Sequence, residues 1–126
     1  MESKTWPGKK VLIVEDDKFG FEFIRISLRD KGLEILHSAD GEQALKIFNE
    51  NPDLDLILLD IQIPIIDGFT VCKMIREKDQ EIPIIVQTAY VLNDEQSRCK
   101  EAGCNDYLSK PLNMEKLIDL MDKYLS

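Results

Sequence analysis

Carboxylate side chains stand directly after two apolar runs of the sequence. Residues 56–59 end at Asp60, and residues 11–14 end at Glu15 and Asp16. The carboxyl ends of neighbouring parallel strands meet at one edge of a sheet, where α/β proteins keep their ligand sites. Clustered carboxylates repel one another unless a cation neutralises them, and hard oxygen ligands at this density suit Mg²⁺. The sequence therefore predicts a magnesium pocket at this edge.

Asp60 is a better candidate for chemistry than Asp17. An Asp that follows a strand often caps the next helix, and this is our interpretation of Asp17. No helix is predicted to begin at Asp60, because Pro64 and the pair Asp67-Gly68 indicate an ordered loop. Asp60 is therefore the candidate reactive carboxylate.

A hydroxyl and an ammonium group are expected beside these acids. Thr88 closes a fourth apolar run and Lys110 follows a fifth, so both should emerge at the strand ends that carry the carboxylates. A carboxylate nucleophile near a metal, with a hydroxyl and a lysine to hold the other oxygens, is what formation of an aspartyl phosphate requires. The residue types alone thus indicate phosphoryl transfer to Asp60.

Strand-like and helical patterns alternate along the chain in five units. This alternation predicts parallel strands joined by helical crossovers. Strands are predicted near residues 10–14, 34–37, 56–59, 84–88 and 106–108. Helices are predicted after Asp17, after Asp40, after Gly68, after Asn93 and over residues 113–125.

The predicted helices differ in their apolar surface. The first has more apolar residues than one buried face needs; we expect wider burial of the surplus, although an exposed Phe beside the acids would suit a partner contact. The third is expected to bury Val71, Met74 and Ile75. The fourth has little apolar surface besides Ala102, and we expect it to be mobile. In the first helix the stripe is Phe21, Ile24 and Leu28, and the surplus is Phe19, Phe23 and Ile26.

The composition is that of a globular domain. Its 126 residues fit one domain with a three-layer core, and 44% of them are hydrophobic. No apolar stretch reaches the roughly 20 residues of a membrane span, and the charged start lacks a signal peptide's apolar segment, so we expect a cytoplasmic protein without membrane contact. The net charge of −8 disfavours direct nucleic-acid binding, which requires a basic surface.

Cysteine and histidine offer no metal site of their own. Cys72, Cys99 and Cys104 are odd in number and lack C-x-x-C spacing, so we expect reduced thiols rather than disulfides or a zinc site. His37 is the only histidine and has no other ligands at metal spacing. We interpret it as an ordinary residue at a strand end.

Four motifs follow one another along the chain. They are Glu15-Asp16-Asp17 after the first strand, Asp60-x-x-x-Pro64-x-x-Asp67-Gly68, Thr88-Ala89, and Tyr107-x-x-Lys110-Pro111. In this order they resemble the receiver domains of the two-component response-regulator family, and the match runs from residue 10 to residue 125. The resemblance implies an α/β fold: a doubly wound, five-stranded parallel sheet of order 2-1-3-4-5 with five helices, which is a flavodoxin-like three-layer sandwich.

The resemblance implies a role for each acid. Asp60 would accept a phosphoryl group from a phosphohistidine. Mg²⁺ would be held by Asp16, Asp60 and the backbone carbonyl of Gln62, and Glu15 would act through metal-bound water. The partner that supplies the phosphoryl group would be a histidine kinase or a histidine phosphotransfer domain, and a homodimer stays open.

The resemblance also implies a switch. Lys110 would pair with the phosphoryl oxygens, and the family usually has the bond from this lysine to Pro111 in the cis form. Thr88 would swing toward the phosphoryl group, and Tyr107 would turn inward behind it. The phosphoryl dianion would form new charge-assisted hydrogen bonds to Thr88 and Lys110. The free energy of these bonds is the only energy available to shift a two-state equilibrium of the protein.

Two further residues are candidates for control of the phosphoryl lifetime. Gln62 and Tyr90 stand two residues beyond Asp60 and Thr88, at positions where relatives vary. Our hypothesis is that their side chains screen the acyl phosphate from water. The alternative is that Tyr90 is a surface aromatic residue before a helix.

Other classes of function fit the sequence less well. A hydrolase of the haloacid-dehalogenase type would be expected to have the motif Asp-x-Asp after its first strand. Here Gln62 stands at the position of the second Asp. A flavin carrier of the same strand order needs a phosphate loop rich in Ser, Thr and Gly. The loop after the first strand here is Glu15-Asp16-Asp17, which would repel a phosphate. A degenerate receiver that binds partners without phosphorylation would not need the set Asp16, Asp60, Thr88 and Lys110. We therefore expect a signalling phosphoacceptor rather than a turnover enzyme.

The N-terminal segment bears on the context of the domain. We assign residues 1–9 to a linker or tail and residues 10–126 to the receiver domain. The segment Trp6-Pro7-Gly8-Lys9-Lys10 resembles the joint before receivers at the C-terminal end of hybrid histidine kinases. We favour that context, and a stand-alone response regulator is the alternative.

Overall fold

The architecture is a parallel sheet with helices on both faces. The computed structural model describes residues 4–89 and 93–126, and for residues 93–96 it describes the backbone alone. Five strands lie in the order β2-β1-β3-β4-β5, which confirms the predicted fold class. No helix within these ranges is long and apolar enough to cross a lipid bilayer. The elements are β1 (Lys10–Val14), α1 (Lys18–Ser27), β2 (Glu34–Ser38), α2 (Gly41–Glu50), β3 (Leu56–Asp60), α3 (Gly68–Lys78), β4 (Ile84–Thr88), α4 (Asn93–Ala102), β5 (Asp106–Ser109) and α5 (Met114–Leu125).

The strand register brings the predicted chemistry to one edge of the sheet. Strands β3 and β4 are buried along their whole length, as central parallel strands covered on both faces must be. Asp60 pairs with Gln87, and Thr88 pairs with Ser109. The carboxyl ends of β3, β4 and β5 therefore lie level with one another.

Two hydrophobic cores cover the two faces of the sheet. Alternate residues of a strand point to opposite faces, so Leu12 and Leu59 lie in one core while Ile13 and Leu58 lie in the other. The first core is closed by α2, α3 and α4, and the second by α1 and α5. The predicted three layers are thus present.

Side-chain caps begin the helices whose first turns are described. Each cap residue accepts a hydrogen bond from the backbone N–H three positions later, which stabilises a helix by about 1 kcal/mol. Asp17 is such a cap, as predicted, and its partner is Gly20 at 3.1 Å. The other caps are Asp40, Asp67 and Asn113.

Two expectations about helix burial are wrong. The surplus apolar residues of α1 are exposed rather than buried, with 85% of the Phe19 surface accessible. On α3, Met74 is 40% exposed, and Phe69 and Cys72 are buried instead. The buried face of α3 runs through Cys72 and Ile75, so Met74 lies at its margin. On α4, Cys99 joins Ala102 in the core.

The segment before β1 is irregular, but it is not a solvated linker throughout. Trp6 is only 3% exposed and packs in the core closed by α1 and α5. Its indole N–H donates to Asp122 Oδ1 at 2.8 Å, and its backbone N–H donates to the Lys31 carbonyl at 2.7 Å. The folded unit therefore extends upstream of residue 10 to include Trp6.

The loop between β3 and α3 contains a strained residue. Ile65 has φ 74° and is the non-glycine residue at positive φ in the described part of the chain. The left-handed conformation costs a β-branched residue about 1–2 kcal/mol, because Cβ crowds the following carbonyl. Ile65 is also 70% exposed, so little packing offsets this cost.

Replacing Ile65 with Asn should stabilise the domain. Asn tolerates the left-handed region, so Ile65→Asn should raise the free energy of unfolding by about 1 kcal/mol and Tm by about 3 °C. The matched control is Ile65→Val, which keeps the β-branch and the strain. Thermal unfolding of the three proteins checks this, and an equal rise in both variants would contradict the strain argument.

Candidate functional site

Three carboxylates converge at the carboxyl end of the sheet, as predicted. Asp60 is the last residue of β3 and is buried, Glu15 follows β1 and is buried, and Asp16 is exposed. Each offers an oxygen that lies within 4.8 Å of the others. The arrangement can accept a cation from the solvent side, through Asp16.

Both carboxylate oxygens of Asp60 have a partner. Oδ1 accepts a hydrogen bond from the backbone N–H of Gln62 at 2.9 Å, and Oδ2 accepts one from Lys110 Nζ at 2.6 Å. Asp60 is thus held in one orientation by the loop that follows it and by the loop after β5. Gln62, whose backbone N–H contacts this carboxylate, is itself exposed.

Gly68 lets α3 begin directly against the end of β3. Its N–H donates to the Ile61 carbonyl at 2.9 Å. A Cβ at this position would lie 2.6 Å from the Asp60 carbonyl oxygen and from Ile61 Cα, which is closer than real side chains approach backbone. The glycine of the Asp67-Gly68 pair is therefore required for the placement of Asp60.

Lys110 is tied to both sides of the site. Its backbone N–H donates to the Thr88 carbonyl at 2.8 Å, and its Nζ lies 3.7 Å from Glu15 Oε1 as well as on Asp60. Burial lowers the pKa of this ammonium, but the hydrogen bond and charge of Asp60 outweigh burial, so the pKa is raised. Lys110 is thus a fixed cation, and its peptide bond to Pro111 is cis.

The predicted switch residues lie on the paired strands β4 and β5. Thr88 is buried at the end of β4, one position after Gln87, which pairs with Leu108. Tyr107 is half-buried on β5 and packs against the core closed by α2, α3 and α4. Tyr90, the second candidate for control of the phosphoryl lifetime, lies outside the described residues.

Glu15 carries the electrostatic strain of the cluster. Burial raises its pKa from 4.5 to about 7, and a hydrogen bond and charge from Asp60 act in the same direction. The backbone N–H of Asp17 and the charge of Lys110 oppose this rise without cancelling it. The mutual repulsion expected from the sequence therefore acts between Glu15 and Asp60.

The sequence reasoning missed two residues that contact Glu15. Gln87 is fully buried, and its Nε2 lies 3.5 Å from Glu15 Oε1, while its Oε1 has no hydrogen-bond partner among the described residues. A glutamine inside an otherwise apolar strand was the signal. His37 Nε2 lies 2.8 Å from the Glu15 carbonyl oxygen, and its ring stacks on Phe21. These contacts agree with a structural role for the histidine.

The donor set fits a small hard cation. Three carboxylates face one lysine, so the site keeps an excess of negative charge, and hard oxygen ligands of this kind suit Mg²⁺. The same charge would repel the phosphate of a flavin. The geometry therefore favours a cation-assisted reaction at Asp60 over binding of a flavin.

Comparison with known proteins gives the class. Residues 11–122 match the response regulator receiver domain. The polar-differentiation response regulator DivK of Brucella anthropi is 34% identical over 119 residues, which cover 93% of this chain and 96% of that protein. The chain belongs to the receiver-domain family and is a receiver domain of a two-component system.

Two solved structures of receivers are close in fold. The receiver of sensor histidine kinase PA1611 from Pseudomonas aeruginosa PAO1, crystallised with a magnesium ion in its active site cleft, is 33% identical with a TM-score of 0.84, covering 94% of this chain and 98% of that one. The receiver of Ssk1 from Saccharomyces cerevisiae, crystallised with the histidine phosphotransfer protein Ypd1, is 28% identical with a TM-score of 0.89, covering 97% and 92%.

The raised pKa of Glu15 predicts that the metal-free domain loses stability as the pH rises. The folded state binds the proton of the Glu15 carboxyl group more tightly than the unfolded chain does. The stability that this proton contributes is therefore complete below the unfolded pKa of 4.5 and is lost as the pH passes about 7. Glu15→Gln keeps the shape without the charge. Its free energy of unfolding should exceed that of wild type by about 1–3 kcal/mol at pH 8, with a smaller gap at pH 5.

Urea unfolding at the two pH values, in chelator and in excess Mg²⁺, measures this difference. Mg²⁺ should reduce the pH dependence of the wild type, because a bound cation favours the ionised carboxylate. The control is Glu101→Gln on the exposed side of α4. A gap between Glu15→Gln and wild type that did not change with pH would contradict the assignment to Glu15.

Proposed function

We propose that this receiver is a phosphoacceptor in a phosphorelay and that Asp60 takes the phosphoryl group. One observation carries the proposal: Asp60 is buried within an acidic cluster, with one carboxylate oxygen on the Gln62 N–H and the other on Lys110 Nζ. A carboxylate held in this way is oriented for attack and has a cation beside it for the product charge. The domain acts as a signalling module rather than as a turnover enzyme.

The reaction that we propose exchanges one bond for another. A carboxylate oxygen of Asp60 attacks the phosphorus of a phosphohistidine, the P–O bond forms as the P–N bond breaks, and the imidazole nitrogen keeps the electron pair. Asp16, Asp60 and the backbone carbonyl of Gln62 would hold Mg²⁺, with Glu15 acting through metal-bound water, and the ion would neutralise charge on the phosphoryl oxygens. Support for this metal comes from the acidic cluster and from the magnesium-bound PA1611 receiver.

The switch follows from the same charges. Lys110 exchanges its bond to the Asp60 carboxylate for one to the phosphoryl group, and the Thr88 hydroxyl provides a second hydrogen bond. These new bonds favour a state in which Tyr107 turns inward. Gln62, which is exposed beside Asp60, and Tyr90 would screen the acyl phosphate from water and set its lifetime.

Two contexts for the domain have support. The DivK relative is matched over nearly its whole length, and the PA1611 receiver belongs to a sensor histidine kinase. We favour a hybrid histidine kinase in the cytoplasm, on the basis of the segment at residues 6–10, and keep a stand-alone regulator as the alternative. A gene that encodes a kinase core upstream of Met1 would decide for the hybrid, and an isolated reading frame would decide against it.

Phosphorylation from acetyl phosphate tests the proposed role of Asp60. Intact-mass spectrometry should show a single phosphate adduct that depends on Mg²⁺ and is absent in Asp60→Asn, because the amide is not a nucleophile. The matched control is Asp119→Asn on the exposed side of α5, which should keep the adduct. A folded wild-type protein that gave no adduct would favour the degenerate-receiver alternative.

The exposed apolar residues of α1 provide a surface for the phosphodonor. This α1 apolar face consists of Phe19, Phe23 and Ile26. Phe23 lines a cavity of about 340 Å³ together with Glu15 and Lys110, so the face adjoins the acidic site. A histidine that transfers to Asp60 must dock at this edge. We therefore assign the face to the histidine-bearing domain of the donor; the Ssk1 receiver, crystallised with a histidine phosphotransfer protein, supports this class of partner.

A substitution on the α1 apolar face should separate docking from chemistry. Phe19→Ser should slow transfer from a phosphorylated histidine domain by about tenfold, the effect of about 1.4 kcal/mol of lost contact. Phosphorylation by acetyl phosphate should stay unchanged. The control is Met74→Ser, which removes an exposed apolar residue from α3. Altered self-association in sedimentation, with normal transfer, would assign the face to a homodimer instead.

A further inference from the structure

Three thiols lie together beneath the C-terminal end of α4. Cys72 is on α3, Cys99 is on α4, and Cys104 is in the turn before β5. The Sγ atoms of Cys72 and Cys104 are 3.5 Å apart, and the Cys72 thiol donates to the Ala102 carbonyl at 3.2 Å. The sequence separation of these cysteines concealed the cluster, because the contact depends on the packing of α3 against α4.

The cluster has access to solvent through Cys104. Cys72 is fully buried, whereas Cys104 is half-buried. Cys99 and Cys104 line a cavity of about 290 Å³ that also reaches Tyr107. A small oxidant that enters this cavity reaches Cys104, the more exposed of the two lining thiols, and the Cys72 sulfur lies 3.5 Å from it.

The surroundings of Cys72 favour its thiolate. The hydrogen bond from Cys104 lowers the pKa of Cys72 against the opposing effect of burial, and the charge of Arg76 acts in the same direction. Arg76 is held in place by a hydrogen bond from its Nε to the Gly103 carbonyl at 2.8 Å. Contacts with the thiols of Cys72 and Cys99, together with burial, raise the pKa of Cys104, so we expect slow oxidation, as for an ordinary buried thiol.

We propose that Cys72 and Cys104 form a modification site, at which a peroxide oxidises the pair to a disulfide that joins α3 to the segment between α4 and β5. Hydrogen peroxide transfers one oxygen atom to the Cys104 thiol, which becomes a sulfenic acid, and its other oxygen atom leaves as water. The Cys72 sulfur then attacks the Cys104 sulfur, hydroxide leaves with the thiol proton as a second water, and the S–S bond forms. The two thiols lose two electrons, which the peroxide gains.

The geometry favours a disulfide over a metal site. Within the described ranges, only Glu15, Asp16 and Asp60 bring three possible metal ligands within 4.8 Å of one another. The three sulfur atoms are therefore too far apart to hold one metal ion together. The two sulfur atoms of the pair, 3.5 Å apart, must approach by about 1.5 Å to reach the S–S bond length of about 2.05 Å. Cys99 is left as the third thiol.

The disulfide would hold the end of α4 on α3, three residues before Tyr107. An effect on switching therefore rests on the proposed function, whereas formation of the disulfide does not. Because neither cysteine contacts the carboxylates, metal-dependent phosphorylation of Asp60 should change by less than about twofold on oxidation.

Thiol counting and peptide mapping test this site. The reduced full-length protein is incubated with excess hydrogen peroxide, the remaining thiols are alkylated under denaturing conditions, and the intact mass is measured. We expect three alkyl groups before oxidation, one afterwards on Cys99, and a Cys72–Cys104 linked peptide that dithiothreitol abolishes. The oxidised protein should also unfold at a higher temperature than the reduced one.

Single substitutions separate the three thiols. Cys99→Ala should keep the linked peptide, and Cys104→Ser should abolish it; Cys104 is half-buried, so this variant should fold, and circular dichroism checks that it does. A Cys99–Cys104 linkage, or sulfinic and sulfonic acids without any S–S bond, would overturn the proposal. Acetyl phosphate labelling of the same samples reports on Asp60 separately, so failure of one result is distinguishable from failure of the other.

Discussion

Glu15 and Asp60 are buried side by side at one edge of the sheet, and the repulsion between their charges has to be balanced for the domain to fold. Balance comes from Lys110 and from backbone N–H groups of the loops after β1 and β3. Each of these loops ends at a helix that begins with a side-chain cap, Asp17 for α1 and Asp67 for α3. Gly68 also lets the start of α3 lie against the backbone of Asp60 and Ile61. The loops after β1 and β3 and the lysine after β5 therefore hold the like charges together.

The sequence predicted the features that depend on local pattern or on strand order. Apolar runs such as that before Asp60 marked the strands, and the sheet edge followed, because the carboxyl ends of parallel strands must meet there. Asp17 as a helix cap was predicted for the same local reason. The acidic cluster and its lysine therefore needed no tertiary information beyond the order of elements.

The missed features depend on contacts between distant segments. Periodicity shows that α1 has apolar residues to spare, but it does not show whether another element covers Phe19. Trp6 is buried because α1 and α5 close a core around it, and the three cysteines meet because α3 packs on α4. Gln87 has its polar role because β1 lies near β4 across β3. None of these neighbours is visible in a one-dimensional pattern.

Trp6 is the single tryptophan of the chain, and its indole is buried and hydrogen-bonded to α5 through Asp122. Its fluorescence emission therefore comes from one place, in the core closed by α1 and α5. Loss of this packing would expose the indole to water and shift its emission to longer wavelength. Trp6 precedes β1, whereas the acidic residues follow the carboxyl ends of β1 and β3, and the buried cysteines lie in the core on the other face of the sheet. The protein thus contains an optical reporter for the core closed by α1 and α5.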